Sequence, residues 1–161
     1  MESFNLLDER WLHVEHINGD KSILSLKELI TDLDNYRGLD FPFPGHNLSV
    51  LRFLLSLVYA FHQPEDEMQW MKIYKGNPFY PFKEFESKVR PFLDLRDNKK
   101  PFMQSIFDAK RRPINKLLTH MPAASGSIFF NHNNDEIKID IYKIIPILLS
   151  AHLYVPLQGG A

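Results

Sequence analysis

The period of the hydrophobic pattern changes near residue 25, and this change constrains the possible fold more than any other feature of the chain. Over residues 11–17 apolar and polar side chains alternate, which is typical of a half-buried β-strand. The turn sequence Asn18-Gly19-Asp20 follows, and residues 22–24 can return as a second strand. Ser25 and Glu28 then have the spacing of a capping box. The pattern therefore predicts a β-hairpin that leads directly into a helix.

Four further helices are predicted from helical periodicity, at residues 48–62, 64–74, 81–89 and 141–153. For the first of them, Asn47 is the predicted N-cap. Its apolar positions form a wide face, so we expect this helix to be mostly buried. That face consists of Leu51, Leu54, Leu55, Val58 and Phe61, extended by Val50, Phe53 and Leu57.

Shorter elements are predicted between the fourth and fifth helices. They are a short helix at residues 114–118, a strand at 127–131, a turn at 132–135 and a return strand at 136–139. Strands and helices do not alternate regularly along the chain. The predicted fold class is therefore α+β, a helix-rich mixed globular domain with small antiparallel β elements, rather than a doubly wound sheet.

The composition limits the class of protein. Hydrophobic residues make up 44% of the 161 residues, which is enough for one packed domain and argues against disorder. Cysteine is absent, which excludes a disulfide framework, a thiolate zinc site and a thiol nucleophile, and fits a reducing cytoplasm. No signal peptide is visible, and the apolar run at 144–149 is too short to cross a membrane.

The formal net charge of −1 hides an uneven distribution. Residues 1–69 contain twelve acidic against five basic side chains, a balance of −7, whereas residues 90–120 contain eight basic against three acidic, a balance of +5. This basic middle can contact phosphate locally, although the chain as a whole is not basic enough to hold nucleic acid by charge alone. The alternative is an ordinary solvated surface.

The sequence offers no set of residues that suits catalysis or a cofactor. It contains no P-loop, dinucleotide-binding fingerprint or nucleophile elbow. His13 and His16 lie three residues apart on one predicted strand, so they face opposite sides and cannot easily share a metal ion. The other histidines have no acidic partner at ligand spacing. We therefore expect no metal site and no cofactor, and we do not expect an enzyme.

Two stretches suggest binding instead. Residues 127–135 place adjacent phenylalanines beside asparagines, and such side chains can stack on unpaired bases and hydrogen-bond their edges. The alternative is a structural hairpin with one phenylalanine in the core. The second stretch is Gly159-Gly160, where glycine permits close backbone approach to a partner. This pair is either a loose tail or the first half of a functional loop.

The ordered set of segments resembles the N-terminal part of CasA, the large subunit of the type I-E CRISPR surveillance complex Cascade. The matching segments are residues 4–12, 25–29, 51–58, 100–104, 113–118, 129–131 and 148–152, the last leading into 159–161. Family members are much longer. On this resemblance, residues 1–161 form a single CasA-like N-terminal region that is incomplete at its C-terminus, so we expect guide contact and subunit docking rather than independent recognition of target DNA.

The resemblance implies partners and site residues without any catalytic step. CasA-like subunits contact the 5′ handle of the guide RNA (crRNA), recognise the protospacer-adjacent motif on target double-stranded DNA, dock onto other Cascade subunits and help recruit a helicase–nuclease. By residue match, Phe129 and Asn131 would contact the guide handle, together with His132 and Asn133. Gly159 and Gly160 would lie at target DNA. The alternative function is a protein-interaction module that docks a larger partner through its apolar helices and never touches nucleic acid.

Overall fold

Five α-helices and a three-stranded antiparallel sheet make up the part of the chain that this computed structural model describes, namely residues 3–61, 63–75, 82–104 and 138–154. The predicted α+β class is confirmed. The strands are β1 (Leu12–His16), β2 (Lys21–Leu24) and β3 (Tyr36–Leu39), and the helices are α1 (Leu26–Thr31), α2 (Pro44–Phe61), α3 (Glu67–Tyr74), α4 (Phe82–Val89) and α5 (Ile141–Tyr154). Within these ranges, no helix is long and apolar enough to cross a membrane.

The predicted hairpin and the helix that follows it are confirmed. Strands β1 and β2 pair antiparallel, with Leu12 opposite Leu24. Gly19 occupies the turn with φ of 89°, a conformation that glycine adopts without strain. The Ser25 side chain accepts the Glu28 N–H, and the Glu28 carboxylate accepts the Ser25 N–H. These reciprocal hydrogen bonds start α1 directly after the hairpin.

The third strand was not predicted from the sequence. Strand β3 pairs antiparallel with the other edge of β1, giving the order β2-β1-β3, and a register shift separates Glu15 from His16. Its glycine at position 38 has a low intrinsic preference for strands. Because its partners in β1 lie 20 to 25 residues earlier in the chain, the pairing depends on tertiary structure rather than on local propensity.

For α2, the predicted start and the predicted burial were both wrong. The helix begins at Pro44, a residue suited to the first helical turn, and Asn47 lies inside it. The Asn47 side chain accepts the Phe41 N–H at 2.8 Å instead of capping the helix. Of the predicted face, Val50 and Leu57 are buried and Phe53 and Leu54 are half-buried, but Leu51, Leu55 and Val58 are exposed.

The remaining predictions have mixed outcomes. Helices α3, α4 and α5 match the predicted segments to within a few residues at each end. Lys138 and Ile139 are not in a strand, so the predicted strand at 136–139 is wrong for that half. The predicted elements at 114–118, 127–131 and 132–135 lie outside the described residues.

The start of the chain is held against the segment that follows α4. The Leu6 N–H donates to the Leu93 carbonyl at 2.9 Å, and the Leu95 N–H donates to the Phe4 carbonyl at 2.9 Å. The carboxylate of Asp94, which lies between Leu93 and Leu95 in the chain, accepts the N–H groups of Phe4 and Arg96. Burial opposes the charged form of Asp94, but these hydrogen bonds outweigh it, so its pKa lies below the usual value.

Replacing this carboxylate tests how much the contact contributes to stability. Asp94→Ala leaves the half-buried Phe4 N–H without its acceptor, so we expect the free energy of unfolding to fall by about 1–2 kcal/mol. Urea unfolding followed by circular dichroism measures the change. The matched control is Asp34→Ala, which removes an exposed aspartate from the 3-10 turn at Leu33–Asn35. Equal losses in the two variants would contradict a special role for Asp94.

Candidate nucleic-acid interface

Helix α5 lies in the chain between the two stretches that the sequence predicts to contact nucleic acid. Phe129, Asn131, His132 and Asn133 precede it, and Gly159 and Gly160 follow it. All six residues lie outside the described part of the chain, so their predicted roles stay predictions. The structure does describe helix α5 itself and its packing against the core.

Helix α5 is seated firmly on α2. Ile145 and Leu149 are buried, and the neighbouring Ser150 hydroxyl lies 3.1 Å from the Ser49 hydroxyl in the same buried layer. The Ser49 hydroxyl also donates to the Gly45 carbonyl at 2.8 Å, so it can accept from Ser150 and give that buried hydroxyl a partner. At the first turn, the Tyr142 ring packs edge-on against Phe4 at 5.2 Å between centroids. With fourteen residues, α5 separates the chain segments at its two ends by roughly 20 Å.

An open cleft of about 810 Å³ lies beside the first turn of α5. Its floor is the outer side of the β1–β2 hairpin, and its walls come from the chain before β1 and from the start of α5. The lining residues are Asp8, Glu9, Arg10, Trp11, His13, Ser22, Ile23, Asp140, Tyr142 and Lys143. The exposed Tyr142 and Ile23 side chains give it apolar surface, and its charges have both signs.

Four of the five acidic and basic side chains that line this cleft form ion pairs within the protein. Arg10 forms a bidentate ion pair with Glu28, and Asp8 pairs with Arg90 at 2.6 Å. Lys143 lies 3.4 Å from Asp140. These ion pairs are exposed and contribute only about 0–1 kcal/mol each, so they weaken contact with a phosphate group without preventing it.

The two histidines of β1 contact different neighbours. The His13 ring packs against Phe41 at 5.0 Å, and burial lowers its pKa, with the Asp40 carboxylate acting in the opposite direction. The His16 Nε2 atom lies 2.7 Å from the Ser22 hydroxyl, a cross-strand contact that the sequence spacing had not revealed. No group of three or more potential metal ligands occurs among the residues described.

The outer face of α2 includes Leu51, Leu55 and Val58, which were predicted to be buried. It carries Leu48, Leu51, Leu55, Val58 and Tyr59, whose exposed fractions run from 37% for Val58 to 68% for Tyr59. Beside it, a groove of about 680 Å³ is lined by apolar side chains of α2 and by residues around β3. Contiguous exposed apolar surface is characteristic of contact sites in proteins. The run of leucines around α2 was the available signal, but it did not show which side faces outward.

The chain matches one protein-family model over residues 5–161, that of CRISPR-associated protein Cse1. It is 24% identical over 144 residues to the CRISPR-associated protein CasA/Cse1 of Thermus thermophilus, covering 84% of this chain and 28% of the relative. The chain therefore spans less than a third of the length of this relative.

Solved structures show the same fold. The crystal structure of Thermobifida fusca Cse1 superimposes with a TM-score of 0.75 at 23% identity, covering 93% of this chain and 30% of the other. A chain of a CRISPR RNA-guided surveillance complex superimposes with a TM-score of 0.77 at 15% identity, covering 94% and 34%. At these identities the likeness establishes the fold alone.

The lowered pKa of His13 predicts how acid affects stability. The unfolded chain takes up the proton of this histidine at a higher pH than the folded protein, so His13 contributes to a loss of stability as the pH falls below about 6.5. We expect His13→Gln to lose less unfolding free energy than the wild type between pH 7.5 and pH 5.5. Urea titrations at each pH measure this, with His152→Gln on the exposed side of α5 as control. An unchanged pH dependence in His13→Gln would refute the assignment.

Proposed function

Because the chain belongs to the family of CRISPR-associated protein Cse1, we propose that it acts as a subunit of an RNA-guided CRISPR surveillance complex in the cytoplasm. The family match carries this proposal, since it extends over residues 5–161 and so includes both predicted contact stretches. The likeness of the fold to a chain of such a complex supports it. The role involves no catalytic step.

Guide RNA is the first proposed ligand. Phe129 would stack on an unpaired base of the 5′ handle, and Asn131 would hydrogen-bond a base edge or the backbone, with His132 and Asn133 completing the contact. The seated first turn of α5 supports this role, because a rigid helix close behind a contact segment limits the conformational entropy lost on binding.

Target double-stranded DNA is the second proposed ligand, at Gly159 and Gly160. Glycine has no side chain to clash with the walls of a minor groove, so a glycine pair lets the backbone approach the base edges. Most of the target sequence is specified by pairing with the guide, so the subunit needs little base-reading surface of its own. In this role the chain contributes to recognition of the protospacer-adjacent motif and to recruitment of the helicase–nuclease.

The outer face of α2 favours a second candidate function that involves protein alone. Its exposed leucines suit docking onto another Cascade subunit or another large protein partner. This face can dock the chain within the proposed complex. Alternatively, docking through this face can be the only function of a module that does not bind nucleic acid. The two functions differ in salt dependence, because phosphate contacts weaken steeply with added salt and apolar contacts do not.

The guide-handle contact is tested by Phe129→Ala combined with Asn131→Ala. We expect incorporation into a complex of the other Cascade subunits and guide RNA to weaken by tenfold or more, because stacking on one base contributes about 1–3 kcal/mol. Size-exclusion chromatography over a concentration series measures incorporation. Tyr74→Ala with Asn18→Ala removes the same kinds of group from exposed positions of α3 and the β1–β2 turn, and serves as control. Wild-type incorporation of the Phe129/Asn131 variant would exclude these roles.

Docking through the outer face of α2 is tested by Leu51→Glu. The side chain is 48% exposed, so we expect the thermal midpoint to stay close to that of the wild type. Incorporation into the same complex should weaken by tenfold or more, because a carboxylate would be buried against the partner. Ile17→Glu adds the same charge at an exposed position at the end of β1 and controls for the charge itself. If both variants incorporate equally well, the outer face of α2 is not a docking surface.

A further inference from the structure

We propose that residues 95–104, here named the lysine loop, form a preorganised site for the phosphodiester backbone of nucleic acid. The proposal deepens the function proposed above and rests on it. It concerns residues that are distinct from the predicted guide-handle and glycine contacts, and it needs no base recognition.

The two ends of the lysine loop are tied together. The Phe102 N–H donates to the Asp94 carbonyl at 2.8 Å, and the Gln104 side-chain amide donates to the Leu95 carbonyl at 2.9 Å. Leu95 and Phe102 are buried, and the Phe102 ring packs edge-on against Phe53 of α2 at 5.4 Å. The loop is therefore anchored to the core at both ends, so its exposed middle is presented from a fixed base.

The carboxylates near the lysine loop are directed at the backbone. Asp97 accepts the N–H groups of Lys99 and Lys100 at 2.7 and 2.6 Å, and Asp94 accepts the Arg96 N–H at 2.8 Å. The same backbone hydrogen bonds lower the pKa of Asp97, so it stays ionised and keeps the turn closed. The acidic groups thereby shape the loop rather than pairing with its lysine ammonium groups.

The ammonium groups of Lys99 and Lys100 are exposed, and neither forms a salt bridge with any residue in the described ranges. Nearby, Arg90 is held between Asp8 and Glu86 and is not available in this way. Two adjacent lysines on a closed loop present two positive charges without displacing an internal partner. Lysine binds phosphate as a point charge and reads no base, which suits contact with a nucleic-acid backbone.

Met103 indicates that the loop shape is imposed by its surroundings. Its φ is 52°, in the left-handed region that side-chain-bearing residues rarely adopt. Such a conformation persists only where neighbouring contacts hold it, and the Gln104 hydrogen bond to Leu95 is one such contact. A loop that is already fixed loses little conformational entropy on binding, so two lysines can contribute measurably.

Lys99→Ala with Lys100→Ala tests the site in the full chain. Affinity is measured between 50 and 300 mM salt against two probes, a 30-base-pair DNA duplex and a guide-length RNA. Each lost phosphate contact reduces the slope of log affinity against log salt by about 0.9 on duplex DNA and about 0.7 on single-stranded RNA. We expect the variant to lower affinity severalfold at 100 mM salt and to reduce the slope by about 1 to 2 on one probe. The probe that responds identifies the source of the phosphate.

Two further variants complete the design. Lys72→Ala with Lys75→Ala removes two exposed lysines from α3 and its end, so it should leave both slopes unchanged. Lys99→Arg with Lys100→Arg keeps the charge and should restore the slope. Thermal melting checks that each variant is folded. Slopes equal to the wild type in Lys99→Ala/Lys100→Ala, or an equal change in the α3 variant, would overturn the proposal.

Incorporation of the wild-type chain into a guide-loaded complex is measured in parallel. If the wild type is incorporated but the loop lysines do not affect nucleic-acid binding, the lysine loop is not a phosphate site and the proposed function is unaffected. Salt-dependent, loop-dependent binding without incorporation supports the loop and refutes the proposed function. If the wild type neither incorporates nor binds either probe, both proposals fail.

Discussion

The antiparallel contact between residues 4–6 and 93–95 is the constraint on which the rest of the described structure depends. It joins segments almost ninety residues apart, and β1, the lysine loop and the first turn of α5 all contact it. On one side, Leu6 accepts the indole N–H of Trp11 at 3.0 Å, which places the start of β1 over the core. On the other side, Asp94 accepts the Phe102 N–H at its carbonyl, which closes the lysine loop. Phe4 also packs against Tyr142, so the first turn of α5 depends on the same contact.

The parts of the fold that could be predicted from sequence are those decided by neighbouring residues. The hairpin, its glycine turn and the Ser25–Glu28 capping box are local, and the structure confirms them. The orientation of α2 could not be predicted, because leucines occur on nearly every side of that helix. The orientation of α2 is set by its packing against α5, where the Ser49 and Ser150 hydroxyls are in contact and Val50 is fully buried. Strand β3 was missed for the same reason, since its stability comes from pairing with a distant partner.

The candidate interface, too, could be predicted from the sequence only in part. The charge excess of residues 90–120 is visible in the sequence, but a charge count cannot separate paired from unpaired cations. Arg90 and Lys99 contribute equally to that count, yet Arg90 is fixed between two carboxylates whereas Lys99 and Lys100 project from a turn that Asp97 closes. The outer face of α2 could not be recognised in the same way, because its apolar periodicity predicts burial whereas Leu51, Leu55 and Val58 are exposed. In both cases the missing information was which groups the tertiary fold leaves without an internal partner.

A near-neutral chain can serve a nucleic-acid complex only if its few available cations are placed and held. Coulomb attraction between exposed charges is screened over about 8 to 10 Å in physiological salt, so only acidic groups within that distance oppose the lysine pair. Two phosphate contacts alone give weak binding. They become effective when an apolar interface such as the outer face of α2 already docks the chain onto its partners, because the phosphate contact is then made at high effective concentration. The balance of charge and apolar surface therefore suits a subunit that gains its affinity from assembly.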